Sequence, residues 1–168
     1  MNNYHDNLSG ISQWIAACPP DDDGELLTVA REILHQHFPD CAPLRIGETC
    51  GIAWALLASP AVGVNGYVLI PAEGHPWSGG LPAGFDRHLD VHGGLTYQQF
   101  PIIGFDTGHG YDYWPPEYDP IGVCATMFRR HHPDWIYWTV DMVEAETRQL
   151  ARQIAAHTTP SLELGGSR

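Results

Sequence analysis

Residues 52–70 read Ile52-Ala53-Trp54-Ala55-Leu56-Leu57-Ala58-Ser59-Pro60-Ala61-Val62-Gly63-Val64-Asn65-Gly66-Tyr67-Val68-Leu69-Ile70, with Pro71 next. Short apolar runs cut by Ser59-Pro60 and closed by a second proline have the length of buried strands rather than helices. The runs 52–58 and 66–70 are followed by similar β-type runs at 89–92, 95–97 and 102–105, separated by glycine and proline. Such short runs assemble most simply as a compact, mostly antiparallel sheet. The break at Ser59-Pro60 also leaves no apolar stretch long enough for a membrane span.

Helical signals lie on both sides of this region. Asp22 and Glu25 have capping-box spacing, and Leu26, Leu27, Ala30, Ile33, Leu34 and His37 recur at helical intervals until Phe38-Pro39. Residues 8–17 fit a shorter helix with Ile11, Trp14 and Ile15 on one side. A long closing helix is predicted over 139–157, with Val140, Val143, Thr147, Leu150 and Ile154 as its apolar stripe. Glu144, Arg148 and Arg152 lie on its wet face at salt-bridge spacing. Residues 107–120, rich in Tyr, Trp and Pro, cannot continue a central strand and are read as a loop over the sheet. The predicted fold is therefore α+β: one domain over 1–157, with the sheet packed against an N-terminal helix and a long C-terminal helix. Residues 158–168 are expected to form a flexible tail.

Length and composition agree with a single globular domain: 168 residues, 43% hydrophobic and 17% charged. Twenty acidic residues face eight basic ones, for a formal net charge of -12, which argues against long nucleic acid as a partner. All eight basic residues are arginine, so Schiff-base and Walker-type lysine chemistry is excluded. Cys18, Cys41, Cys50 and Cys124 have no zinc-type spacing and read as free thiols. With no signal-like N-terminus and no membrane span, the expected location is the cytoplasm.

The chemistry-bearing residues gather between Gly74 and His109. Asp90 and His92, one residue apart, would share a face of a strand, as two ligands of a divalent metal or as a histidine with its orienting carboxylate. The alternative is that Asp90 caps a turn and His92 bonds backbone near Gly93-Gly94. Asp106 and His109 end the apolar run 102–105, where a loop can turn both into a pocket; Asp-Thr-Gly is equally good Asx-turn chemistry. A single Asp-Thr-Gly in a chain this short does not make an aspartic protease. His75 stands in a loop between Gly74 and Pro76, beside Trp77. The expected catalytic set is therefore His92, His75, His109 and Asp106, and the expected metal set is Asp90, His92, Asp106 and His109. The cofactor is otherwise unknown. Trp77, Tyr111, Tyr113 and Trp114 offer stacking faces for a small-molecule, nucleotide-like ligand, and Arg129 or Arg130 offers phosphate contacts, although a solvated basic turn is the plainer reading of that pair.

The segments Gly66-Tyr67-Val68-Leu69-Ile70-Pro71-Ala72-Glu73-Gly74-His75-Pro76, Val91-His92-Gly93-Gly94-Leu95-Thr96-Tyr97 and Ile103-Gly104-Phe105-Asp106-Thr107-Gly108-His109 resemble a family of small, largely uncharacterised bacteriophage and actinobacterial proteins. That resemblance covers roughly residues 64–155 and implies that 66–109 form one unit. This chain has Asn65 where the family commonly has cysteine, and Thr107-Gly108 where Cys-Ala is common. Phage proteins of this size include ones that cleave or sequester nucleotide immune signals, so the resemblance implies a counter-defence setting.

The leading functional reading is a small hydrolase acting on a phosphate ester or nucleotide-derived molecule through a His/Asp pocket, with or without a divalent metal. One rival is a protein that sequesters a nucleotide-like ligand without catalysis. Another is an interaction protein that inhibits a host factor through its acidic surface. The aromatic loop 111–118 could also form an interface in a homo-oligomer.

Overall fold

A computed structural model describes residues 24–124 and 134–157. The fold is α+β. Its elements run α1 (Glu25–His37), β1 (Arg45–Thr49), β2 (Ile52–Ala58), β3 (Val64–Leu69), β4 (Tyr97–Gln99), β5 (Ile102–Phe105), β6 (Asp112–Tyr113), β7 (Ile136–Tyr137) and α2 (Val140–Ala156). The first five strands form one antiparallel sheet in the order β1-β2-β3-β5-β4. Beside it, β6 and β7 form a two-stranded parallel pair.

The unbroken apolarity of β2 has a simple cause, because both faces of its strand are covered. Ile52, Trp54 and Leu56 point into a core shared with Val143, Leu150, Ala151 and Ile154 of α2. The intervening Ala53, Ala55 and Leu57 join Ala30 and Leu34 of α1 on the other face. Period-2 alternation therefore divides the strand between two helical layers instead of between core and water. Two alanines on the α1 side allow that short helix to lie close. On β3, Gly66 faces α2; a Cβ there would collide with Thr147 Oγ1 and stand 2.5 Å from the Phe105 ring.

Local chemistry sets the element ends. The β1-β2 hairpin turns on Cys50 (φ 56°) and Gly51 (φ 78°), the two successive positive φ values of a type I′ turn, and Glu48 Oε1 accepts the Gly51 N–H at 3.1 Å. Thr139 caps α2 by accepting the Met142 N–H. At the N-terminal end of α1 the cap is Gly24, which makes no side-chain bond. The capping box expected from Asp22 is therefore not how α1 begins, and Asp22 itself lies outside the described residues. So do the helix expected over 8–17, Cys18, Arg129, Arg130 and the tail 158–168. Among the described cysteines, Cys41, Cys50 and Cys124 are free.

The β-type runs 52–58 and 102–105 form strands over those same residues, and the run at 66–70 forms one shifted toward the N-terminus. The run at 89–92 does not form a strand. It follows a 3-10 turn at Phe85–His88 and stays a loop, because side chains of α2 take the backbone groups that a sheet ladder would need. The run at 95–97 pairs only from Tyr97 onward. Edge strand β1, with Gly47 and Glu48 at its centre, carries little apolar signal. The aromatic segment after Thr107 lies largely as a loop, but Asp112 and Tyr113 pair with Ile136 and Tyr137. No helix among the described residues is long and apolar enough to cross a membrane.

Candidate functional site

Two loop histidines meet the first residue of β6, Asp112, at the small parallel pair. His109 and Asp112 begin and end a turn closed by the Asp112 N–H on the His109 carbonyl at 3.0 Å. His92 comes from the loop after the 3-10 turn. The fully buried Asp112 carboxylate gathers them: its Oδ2 accepts His92 Nε2 at 2.9 Å, His109 Nδ1 at 3.1 Å and the His109 backbone N–H at 2.9 Å. Its Oδ1 accepts the Trp138 indole N–H at 2.8 Å. Burial works against ionisation of this carboxyl, but the bonds from Trp138, His92 and His109 outweigh it and hold Asp112 below the usual carboxylate value.

The rings are packed as well as bonded. His92 meets Trp138 edge to face at 4.9 Å and His109 at 5.1 Å. Gly93, at φ 67°, lies under the His109 ring, where a Cβ would stand 2.5 Å from Nε2 and closer still to Cε1. A side chain at 93 would thus push His109 away from Asp112. The His92 and His109 side chains are 21% and 32% exposed, so the centre is reachable from solvent while its carboxylate is not.

One ligand atom from each of His92, His109 and Asp112 lies within 4.8 Å of the others, as needed to hold a metal ion. His92 Nε2 and His109 Nδ1 stand 2.9 and 3.1 Å from Asp112 Oδ2, close enough for all three atoms to hold one ion. Two imidazoles and a carboxylate suit Zn²⁺, Mn²⁺, Fe²⁺ and similar ions. In the geometry seen here each imidazole can donate an N–H to the carboxylate, so holding a metal at those nitrogens would require the other tautomer of each ring.

Of the residues expected from sequence, His92 and His109 do come together. Asp90 does not join them: with 89–92 in a loop, the alternation that paired Asp90 with His92 is gone, and Asp90 is exposed. Asp106 occupies the rim; its Oδ1 accepts the Gly108 N–H at 3.0 Å as an Asx turn and stands 3.8 Å from His109 Nδ1. His75 is buried apart from the cluster, with Nε2 at 3.2 Å from the Ile154 carbonyl and Nδ1 accepting the Trp77 N–H at 3.0 Å. Both its ring nitrogens therefore serve the fold. Trp77 packs against His75, Phe85 and His157, and is only 4% exposed. Trp114 is fully buried, its indole N–H shared between the Thr107 carbonyl and hydroxyl. Neither tryptophan offers an open stacking face. Tyr111 is exposed, at the corner of the turn that carries His109 and Asp112. Arg129 lies outside the described residues.

Sequence reading missed Asp112, because Tyr111, Tyr113 and Trp114 around it read as an aromatic loop. Its spacing of three from His109 was the available signal. No family model, no curated protein and no solved structure matches this chain.

Proposed function

We propose that His92, His109 and Asp112 form the divalent-metal centre of a small hydrolase acting on a phosphate ester or nucleotide-derived substrate. The observation that carries this reading is the convergence of His92 Nε2 and His109 Nδ1 on a single buried oxygen, Asp112 Oδ2. The two imidazoles that satisfy the buried carboxylate are themselves partly open to water, which supports a ligand-binding centre at this point of the fold. A divalent ion held by these three residues would supply Lewis-acid chemistry and would lower the pKa of a water bound to it.

In the proposed reaction, water oxygen bonds to phosphorus and the P–O ester bond breaks. One water proton ends on the departing alkoxide and the other stays on the phosphate. We assign the uptake of the proton in passing to Asp106, whose Oδ1 stands 3.8 Å from His109 Nδ1 at the rim of the centre. The phosphate-ester class suits the Lewis-acid chemistry that such a centre would supply, and the sequence resemblance is what supports a counter-defence setting. The sequestering alternative is weakened by the burial of Trp77 and Trp114.

Elemental analysis of the purified protein and of a His92→Ala, His109→Ala double variant, followed by assays on bis(p-nitrophenyl) phosphate and on cyclic dinucleotides, tests the reading. Near-stoichiometric metal and metal-dependent turnover, both lost in the variant, are expected. Turnover that survives the variant, or a wild-type protein that takes up no divalent ion, overturns it.

A further inference from the structure

We infer that Gln153 and Glu146 of α2 are positioning residues for this centre: they fix the loop that carries His92 and thereby set the spacing of the donor atoms. The inference rests on the metal-centre reading above. The Gln153 side-chain amide bonds both backbone groups of one residue, Oε1 accepting the Asp90 N–H and Nε2 donating to the Asp90 carbonyl, each at 2.8 Å. Two residues on, the His92 N–H is taken by Glu146 Oε1, also at 2.8 Å. In an extended chain those two N–H groups lie about 7 Å apart. Residues 146 and 153 stand about 10 Å apart along one helical face, near enough to reach both with side chains. The loop is thus laid along α2 and tied to it at two points.

α2 does not need these ties to dock. Val143, Thr147, Leu150, Ala151 and Ile154 bury it against the sheet whether or not Gln153 and Glu146 are bonded. Within the loop itself, the Gly94 N–H closes a turn on the Val91 carbonyl at 3.0 Å. That turn leaves the direction of the His92 Cα–Cβ bond open, and a shift of a fraction of an ångström there changes the distance from Nε2 to Asp112 Oδ2. Metal centres are sensitive on this scale, and loss of supporting bonds around a ligand typically weakens metal binding about 10–100-fold.

The test uses the full chain, Co²⁺ as the probe metal, and the near-isosteric Gln153→Met, which keeps helix propensity and removes both bonds to Asp90. Optical titration should give a Co²⁺ Kd raised about tenfold or more, with an altered d-d spectrum. Gln153→Glu keeps the acceptor for the Asp90 N–H but sets a carboxylate oxygen against the Asp90 carbonyl, so it should not restore the wild-type Kd. Arg45→Met serves as control: it breaks the Arg45 ion pairs to Asp141 and Glu144 near the start of α2, lowering stability while leaving Kd unchanged. Equal Kd in wild type and Gln153→Met overturns the inference and leaves the metal reading standing. If the wild type binds no Co²⁺, the metal reading fails, and imidazole ¹H–¹⁵N spectra of the metal-free protein decide the positioning role. A single His92 ring state that becomes averaged in Gln153→Met supports it, and identical spectra overturn it.

Discussion

At the scale of single residues, Asp112 is the hinge of the site, because one buried carboxylate satisfies Trp138, both histidine rings and the His109 backbone. Asp112→Ala leaves four donors facing an apolar hole, and a loss on the order of 3 kcal/mol in metal-free unfolding free energy is expected from urea denaturation. Asp112→Asn should cost less, since its carbonyl oxygen can still accept the Trp138 N–H, yet it should abolish metal binding, because an amide is a far poorer ligand. A variant of either kind that binds Zn²⁺ like the wild type would remove Asp112 from the donor set. Gly93→Ala adds a methyl group where the His109 ring lies, in a backbone conformation at φ 67° that side chains rarely adopt. We expect it to destabilise by about 1–3 kcal/mol and to weaken metal binding by displacing His109. Histidines 92 and 109 were legible in the sequence as a pair because each sits beside glycines in a polar interruption of apolar runs. Asp112 was not, since its spacing of three from His109 was the one local signal and among Tyr111, Tyr113 and Trp114 it read as a turn former; its role is created by the arrival of residues 92 and 138 from elsewhere in the chain.

At the scale of elements, the clearest sequence signals were the longest runs. The stripe of α2 and the apolar run of β2 appear as read, because each is long enough for burial to dominate local preference. The run at 89–92 failed as a strand for a reason that only tertiary structure supplies, namely the capture of its backbone by Gln153 and Glu146. Strand β1 was hidden because an edge strand with one partner needs little apolar content. The ties of α2 to β1 also predict a pH dependence. Arg45 reaches both Asp141 and Glu144 at 2.6 Å, and Arg148 reaches Glu144 at 2.6 Å. Burial alone would raise the Glu144 pKa, but the bonds from Arg45 and Arg148 prevail and hold it below its ordinary value of 4.5. The unfolded chain therefore binds this proton at higher pH than the folded one. The contribution is fully present above about pH 4.5 and is lost as pH falls through the lower folded value. Urea unfolding across the acid range should show a shallower loss of stability in Glu144→Gln than in the wild type; parallel curves would mean that the ion pairs add nothing measurable, as is common for exposed pairs.

At the scale of the whole molecule, the sheet separates two layers with different duties. The α1 side is a small core of Ala30, Leu34, Ala53, Ala55, Leu57, Tyr67, Leu69 and Ile102, whereas the opposite core includes Trp114, Trp138, Val91 and α2, the surroundings of the His92/His109/Asp112 centre. Stability and metal binding should therefore be separable by choosing the face. Leu34→Ala, at a fully buried position on the α1 side, should cost about 2–5 kcal/mol in unfolding free energy while leaving metal affinity at the wild-type value. The link between site and fold runs the other way: an ion that binds the native centre and not the unfolded chain stabilises by about 2.7 kcal/mol at a hundredfold excess over Kd. For a domain of this size that corresponds to a rise in Tm of about 5–10 °C. Scanning calorimetry with and without Zn²⁺ should show this rise in the wild type and in Leu34→Ala, from a lower starting Tm, and none in Asp112→Asn. A rise of equal size in all three would place the ion elsewhere on this acidic surface. A rise in the wild type that disappears in Leu34→Ala would mean that the two layers are coupled through the sheet, and that the centre depends on the packing of both.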